Sequence, residues 1–160
     1  MPLDEMRSRE AFYGNMIWVV DAQPFLKNIL IFGMLPDPSH HFVDDLLFVA
    51  PQPAWRENSI RRSGNFDELM YFRRSESNYQ LHCGRELADY FPLSYSGHHL
   101  FLWVRPRDIW LKTTKPTYFD LDGKTIARLL RYGRPTDGLM CLQLLSKEDF
   151  VADLLNAANT

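Results

Sequence analysis

The stretch HHLFLWVRPRDIWLKTTKPTYFDLDG, residues 98–123, decides the fold because it combines apolar bulk, cations and turn residues in one segment. Residues 117–121 predict a strand with alternating faces. The Asp122-Gly123 pair that follows is a strong turn signal. Residues 109–113 predict a second strand, joined to the first through Thr114-Lys115-Pro116. We therefore expect this stretch to form the central hairpin of a sheet.

The segments after this stretch predict a helix, a strand and a second helix. Ile126, Leu129 and Leu130 follow helical spacing. Residues 139–145 form a nearly continuous apolar strand. Ser146 is a good N-cap residue for a C-terminal helix, with an acidic residue three positions later.

The segments before it predict a helix and several strands. Residues 2–13 read as a short helix, 16–20 as a buried strand and 69–73 as another strand. Residues 25–32 fit either a helix or a strand, and residues 84–90 fit a short helix. The pattern predicts an α+β fold, a mixed sheet flanked by helices, and a single domain over residues 1–160.

Composition indicates a globular chain with an uneven charge distribution. Apolar residues make up 46% of the sequence and the net charge is −2, which argues against nucleic-acid binding through bulk charge. Residues 103–134, however, carry eight Lys or Arg against three Asp. An anionic ligand is therefore expected at this segment.

Two cysteines without a CxxC pair suit a reducing compartment, and a charged N-terminal segment does not resemble a signal peptide. No apolar run reaches the length of a membrane-spanning helix. These features predict a cytoplasmic protein with no membrane partner, and no residue pattern calls for a cofactor or a metal ion.

Several groups of residues are considered for catalysis, and two of them lie in or next to residues 98–123. His98 and His99 are a candidate polar site, since neutral imidazoles bind metals and act as general bases. Their spacing matches no zinc pattern, so a structural role at a strand start is the favoured interpretation. Asp120, Asp122 and Lys124 superficially match a nuclease motif, but the adjoining Asp-Gly turn favours an ordinary hairpin.

A cationic segment with interspersed tryptophans is the best candidate for ligand binding. Phosphate contacts plus aromatic stacking would suit nucleic acid, whereas the alternative is that the tryptophans belong to the core. The residues predicted to contact nucleic acid or a protein partner are Arg105, Arg107, Trp110, Lys112, Lys115, Arg128 and Arg131.

Three segments together resemble the competence protein CoiA-like family of nuclease-like proteins: residues 8–22 with their FYG-x-x-x-W unit, residues 97–123 and residues 138–151. The resemblance implies a restriction-endonuclease-like fold. It also implies that the acidic metal ligands of the family lie upstream of the FYG unit, where this chain has almost no sequence. A catalytically inactive, nuclease-like remnant is therefore expected.

Two functions remain open at the level of sequence. The first is a nucleic-acid-associated, competence-related and inactive nuclease-like domain that binds DNA. The second is a protein-interaction module, such as an inhibitor or accessory factor encoded by a phage or mobile element, that binds a host protein complex. Catalysis through the His or Asp groups is less favoured than either, and no catalytic residue is assigned.

Overall fold

The computed structural model describes residues 1–50, 69–90, 97–104, 108–133 and 138–158. Two α-helices accompany nine strands in these ranges. The helices are α1 (Leu3–Tyr13) and α2 (Lys147–Ala158), and the strands are β1 (Trp18–Asp21), β2 (Ile29–Met34), β3 (Leu46–Phe48), β4 (Met70–Arg73), β5 (His82–Cys83), β6 (His98–Trp103), β7 (Thr117–Asp120), β8 (Thr125–Tyr132) and β9 (Leu139–Ser146).

The strands form two sheets. A six-stranded mixed sheet has the order β1-β7-β8-β9-β6-β2, and a three-stranded sheet has the order β3-β4-β5. The β1–β7 pair is parallel, and the other strand pairs with a determined register are antiparallel. The predicted α+β class with a mixed sheet is confirmed, while the restriction-endonuclease-like assignment stays a prediction.

The described residues group into two compact units, each built from separated stretches of chain. Unit 1 comprises Met1–Asn28, Arg105–Leu129 and Leu144–Thr160, and unit 2 comprises Ile29–Val104 and Leu130–Gln143. The expectation of one domain over residues 1–160 stays a prediction. Among the described residues, no helix is long and apolar enough to cross a bilayer.

Unit 1 has an apolar cluster of Tyr118, Ile126 and Phe150, against which Ile17 and Leu145 pack. Helix α2 contributes Phe150 and begins where the sequence predicts. The Asp149 amide donates to the Ser146 hydroxyl at 3.0 Å, which confirms the N-cap.

Unit 2 has a larger core that joins strands β2, β6 and β9. Phe32, Leu100 and Cys141 come from these strands, and Leu35 and Tyr132 complete the centre of the cluster. A smaller cluster of Leu46, Tyr71 and Leu87 underlies the three-stranded sheet. The predicted strand at 69–73 is confirmed as β4, and residues 84–90 form a 3₁₀ helix.

Two predictions around the deciding stretch are wrong. Residues 126–130 are not helical but lie in β8, because the turn at Asp122-Gly123 folds the chain back and sets Ile126 opposite Asp120. Gly123 has a φ of +78°, which the turn requires. Cross-strand pairing thus overrides the helical spacing of the apolar side chains.

The second wrong prediction is the strand at 109–113. Asp108–Lys112 is a 3₁₀ helix, and it ends where the Thr113 hydroxyl donates to the Trp110 carbonyl at 3.2 Å. The hairpin therefore pairs β7 with β8, whereas β6 pairs with β2 and β9. Residues 25–32, which fitted either element, divide into a 3₁₀ helix over Gln23–Asn28 and strand β2.

Candidate functional site

The residues predicted to contact a ligand are distributed over both units. Trp110, Lys112, Lys115 and Arg128 belong to unit 1, and Arg131 belongs to unit 2. Arg105 and Arg107 lie outside the described residues. Lys112 and Arg131 are exposed, and Lys115 and Arg128 are half-buried.

The tryptophans of the cationic segment pack within the fold. Trp103 is only 6% exposed. The Trp110 ring is half-buried and meets the Trp18 ring edge-on, with 5.5 Å between centroids. Arg128 lies opposite Tyr118 in the β7–β8 pair, with its guanidinium carbon 5.7 Å from the centre of that ring. Trp103 therefore offers no open face for base stacking, which agrees with the interpretation that it belongs to the core, and the Trp110 ring is partly covered by Trp18.

The histidine pair has structural roles at the start of β6. The carbonyl of His98 accepts a hydrogen bond from the Leu35 amide at 2.7 Å. His99 Nδ1 lies 3.4 Å from the Phe32 carbonyl, and burial lowers the pKa of His99 despite this contact. This geometry fits the favoured interpretation, in which the two histidines have a structural role at the start of a strand.

The acidic residues near Lys124 shape the turn. The Asp120 carboxylate accepts the Gly123 amide at 2.7 Å. The Asp122 carboxylate accepts the amides of Lys124 at 2.9 Å and Thr125 at 2.6 Å, and these bonds lower the pKa of Asp122. Within the described ranges, no group of three or more His, Cys, Asp or Glu side chains is arranged to hold a metal ion.

Strand β1 forms an edge of the six-stranded sheet, since β7 is its one neighbour in the strand order of the described chain. The amide of Trp18 donates to the Pro116 carbonyl at 2.8 Å, and the amide of Ala22 donates to the Asp120 carbonyl at 2.9 Å. In a parallel pair, alternate residues point their backbone groups to the neighbouring strand. The N–H and C=O groups of Val19 and Asp21 therefore point away from β7, along the outer edge.

Large apolar side chains are exposed on β1 and at the end of α1. Val19 is 51% exposed at the middle of β1. Phe12 and Tyr13 end helix α1 and are 82% and 63% exposed, with their rings in an edge-on pair at 5.0 Å. We call Phe12, Tyr13, Val19 and the outer edge of β1 the α1–β1 surface.

A buried carboxylate fixes the two elements of this surface to each other. Glu10 of α1 is only 3% exposed. Its carboxylate accepts hydrogen bonds from the Trp18 indole at 3.1 Å and from the Thr114 hydroxyl at 2.7 Å and amide at 3.1 Å. Burial by itself would raise the pKa of Glu10, but the hydrogen bonds from Thr114 and Trp18 outweigh it and lower that pKa.

Sequence reasoning missed the α1–β1 surface. It treated residues 16–20 as a buried strand, and no pattern indicated that β1 would lie at a sheet edge. One signal was present, because the aromatic pair Phe12-Tyr13 directly precedes Gly14, where the helix ends with a φ of +62°. Two aromatic rings at a helix terminus form a compact exposed feature.

Comparison of the chain with protein-family models, curated proteins and solved structures gives no significant match.

Proposed function

We propose that this protein is a protein-interaction module that binds an extended strand of another protein along the outer edge of β1. The observation that supports this function is the edge itself, with outward backbone groups on Val19 and Asp21 and an exposed apolar side chain between its ends. Addition of a strand to an open sheet edge gives affinity through main-chain hydrogen bonds.

In the described chain, the outer edge of β1 carries no lysine, proline or bulge of the kind found on natural strands that must stay unpaired. Such strands carry lysines, prolines or bulges that discourage pairing. In β1 the outward-pointing residues are Val19 and Asp21, and the four paired residues run in regular register with β7. The Asp21 carboxylate accepts a hydrogen bond from the Gln23 amide at 3.0 Å. This bond engages the carboxylate at the end of the strand.

The aromatic pair supplies the second part of the interface. Phe12 and Tyr13 are large and exposed, and aromatic side chains are enriched at the energetic centres of protein interfaces. Glu10 ties helix α1 to Trp18 of β1, which limits the movement of the end of α1 relative to this strand.

Binding of nucleic acid through the cationic segment has weaker support. Base stacking needs open aromatic faces, and Trp103 is buried while Trp110 packs on Trp18. The role of an inhibitor or accessory factor for a host complex remains compatible with strand addition, because such factors act by occupying a partner's surface.

A displayed library of linear peptides tests the proposal without knowledge of the natural partner. The library is selected on the wild type and counter-selected on Val19→Pro, which removes one outward N–H and leaves the amides of Trp18 and Ala22 in place. We expect the selection to enrich peptides with alternating apolar residues. These peptides should bind the wild type and should reduce the rate of hydrogen exchange at the Val19 and Asp21 amides.

Two further variants separate pairing from misfolding. Val19→Lys keeps the N–H but places a charge on the surface, and Leu155→Lys is a matched control on exposed α2. Peptides that bind all three variants as they bind the wild type would disprove strand addition. The nucleic-acid function would replace strand addition if two results came together. No peptide would be selected, and a labelled oligonucleotide would bind in a salt-dependent manner and more weakly to Lys112→Gln than to the wild type.

A further inference from the structure

Unit 2 contains a cleft that is separate from the α1–β1 surface. Its volume is about 410 Å³, which lies within the range of small-molecule pockets. The loop before β3, strand β3 itself, the turn after β4 and the end of β8 supply its walls. The described residues that line it all belong to unit 2. The cleft is too small to take up a folded partner.

Apolar side chains form the body of the cleft. Val43, Leu46 and Tyr132 are buried at 8%, 6% and 5% exposure, and Phe48 and Leu139 are half-buried beside them. The Phe48 and Tyr132 rings meet edge-on with 5.6 Å between centroids. Such a lining favours a flat apolar group in the ligand.

Charged side chains at the cleft are mainly cationic. Arg74 and Arg131 come from different elements and are both exposed, and Asp44 is the acidic residue among the lining residues that the structure describes. Guanidinium groups bind carboxylate and phosphate through paired hydrogen bonds, and their planar faces stack on aromatic groups. One carboxylate against two guanidinium groups favours an anion over a cation.

Hydrogen bonds outside the cleft hold its walls in place. The Arg74 amide donates to the Asp45 carbonyl at 2.8 Å, and the Asp45 carboxylate accepts the Ser75 amide at 2.8 Å and hydroxyl at 2.9 Å. These bonds fix the turn that carries Arg74.

Two further bonds fix the other walls. The Tyr132 hydroxyl donates to the Pro36 carbonyl at 3.0 Å. This bond holds Tyr132, the neighbour of Arg131 in β8, in place. The Asp37 carboxylate accepts the Ser39 amide at 2.8 Å and hydroxyl at 2.7 Å, and these bonds lower the pKa of Asp37. The cleft is therefore preformed, which reduces the entropy that a ligand loses on binding.

We propose that this cleft is a binding site for a small amphipathic anion, a ligand with one carboxylate or phosphate group attached to a planar apolar body. The anionic group binds Arg131 and Arg74 at the rim, and the apolar body lies against Phe48 and Tyr132. This site is independent of strand addition at β1, because it lies wholly in the other unit.

A matched pair of fluorescent probes tests the ligand class. Anilinonaphthalene sulfonate carries an anion on fused aromatic rings, and N-phenyl-1-naphthylamine has the same rings without the anion. We expect the anionic probe to bind folded protein at one site and the neutral probe to bind at least about tenfold more weakly, as the loss of a charge-assisted hydrogen bond implies. Adenosine monophosphate and benzoate then compete, and the stronger competitor identifies phosphate or carboxylate as the anionic group.

Variants locate the probe in the cleft. Arg131→Gln and Leu47→Ser, both at exposed lining positions, are each expected to weaken binding of the anionic probe about tenfold. Lys124→Gln, an exposed cation of unit 1, and Val19→Pro are expected to bind it as the wild type does.

Thermal unfolding of each variant is measured alongside, since partly unfolded protein also binds this probe. Equal affinity of the two probes for the wild type, or unchanged binding by both Arg131→Gln and Leu47→Ser, would overturn the assignment. Loss of peptide binding in Val19→Pro with unchanged probe binding separates this site from the α1–β1 surface.

Discussion

The indole N–H of Trp18 donates to the Glu10 carboxylate at 3.1 Å, and this contact joins helix α1 to strand β1. The same carboxylate reaches Thr114, more than a hundred residues later in the chain. One buried charge therefore organises three segments of unit 1, so its removal is the sharpest perturbation of the α1–β1 surface.

Glu10→Gln is expected to lower the free energy of unfolding by about 2 kcal/mol, because hydrogen bonds to a charged group contribute about that much and an amide cannot accept at both positions. The measurement is urea unfolding of both proteins. Glu5→Gln is the matched control, because Glu5 is exposed and its ion pair with Arg9 is expected to contribute less than about 1 kcal/mol.

The stability contributed by Glu10 also depends on pH. Because its pKa is lower in the folded protein, the contribution is present above the ordinary carboxyl pKa and is lost as pH falls through the folded value. The difference in stability between the wild type and Glu10→Gln should therefore shrink below about pH 5. A difference that is constant with pH would contradict the assigned role of the charge.

Ser146→Ala is expected to destabilise helix α2 by about 1 kcal/mol, since it leaves the Asp149 amide without its capping oxygen. Circular dichroism during urea unfolding provides the measurement. Ser8→Ala is the control, because the Ser8 hydroxyl donates to the Asp4 carbonyl within the exposed face of α1 and caps no amide. Equal effects of the two substitutions would show that the cap contributes nothing.

We expect the folded protein to lose stability as pH rises through neutrality, because of the environment of His82. Its Nε2 lies 2.7 Å from Glu76 and its Nδ1 lies 3.2 Å from Glu86, and its ring stacks on Tyr71. The hydrogen bond to Glu76, with that to Glu86, raises the pKa of His82 above its ordinary value of 6.5.

A raised pKa stabilises the fold below the unfolded value, and this stabilisation is lost as pH rises through the folded value. The midpoint of urea unfolding should therefore fall for the wild type as pH rises above 6.5, the ordinary pKa of histidine, and His82→Asn should reduce that fall. His41→Asn removes an exposed histidine of unit 2 and serves as the matched control.

Cys141 is expected to react with thiol reagents only when unit 2 unfolds. It is fully buried, and burial raises its pKa to about 12, so the thiolate is scarce near pH 8. In Cys83→Ser, which leaves Cys141 as the sole thiol, labelling should require denaturant. Fast labelling of folded Cys83→Ser would show that the core around Leu100 and Leu142 opens readily.

Elements that are marked by local sequence signals were predicted correctly. Elements that depend on pairing with distant segments of the chain were missed. Ser146 marked the start of α2, and Asp122-Gly123 marked the β7–β8 turn, because a cap and a tight turn depend on residues close in sequence. Strand β8 was predicted as a helix, since its apolar spacing fits both periods and pairing with β7 decides the outcome.

The candidate surfaces depend on pairing that sequence does not display. Arg131 was named as a binding residue, but its place in the cleft depends on Phe48 and Arg74, which are distant in sequence. Val19 reads as a core residue in the run MIWVV, but it is 51% exposed on a strand at the edge of the sheet. Edge position is a property of the strand order, which one sequence does not reveal.

The discontinuous make-up of unit 1 determines when its surface arises during synthesis. Trp18 pairs with Thr117, and the cluster beneath β7 is completed by Phe150 of α2. A nascent chain that has released α1 and β1 from the ribosome therefore still lacks the strand and the helix that define the outer edge. Under the proposed function, a partner strand can pair with β1 only after the segment that carries Phe150 has left the ribosome.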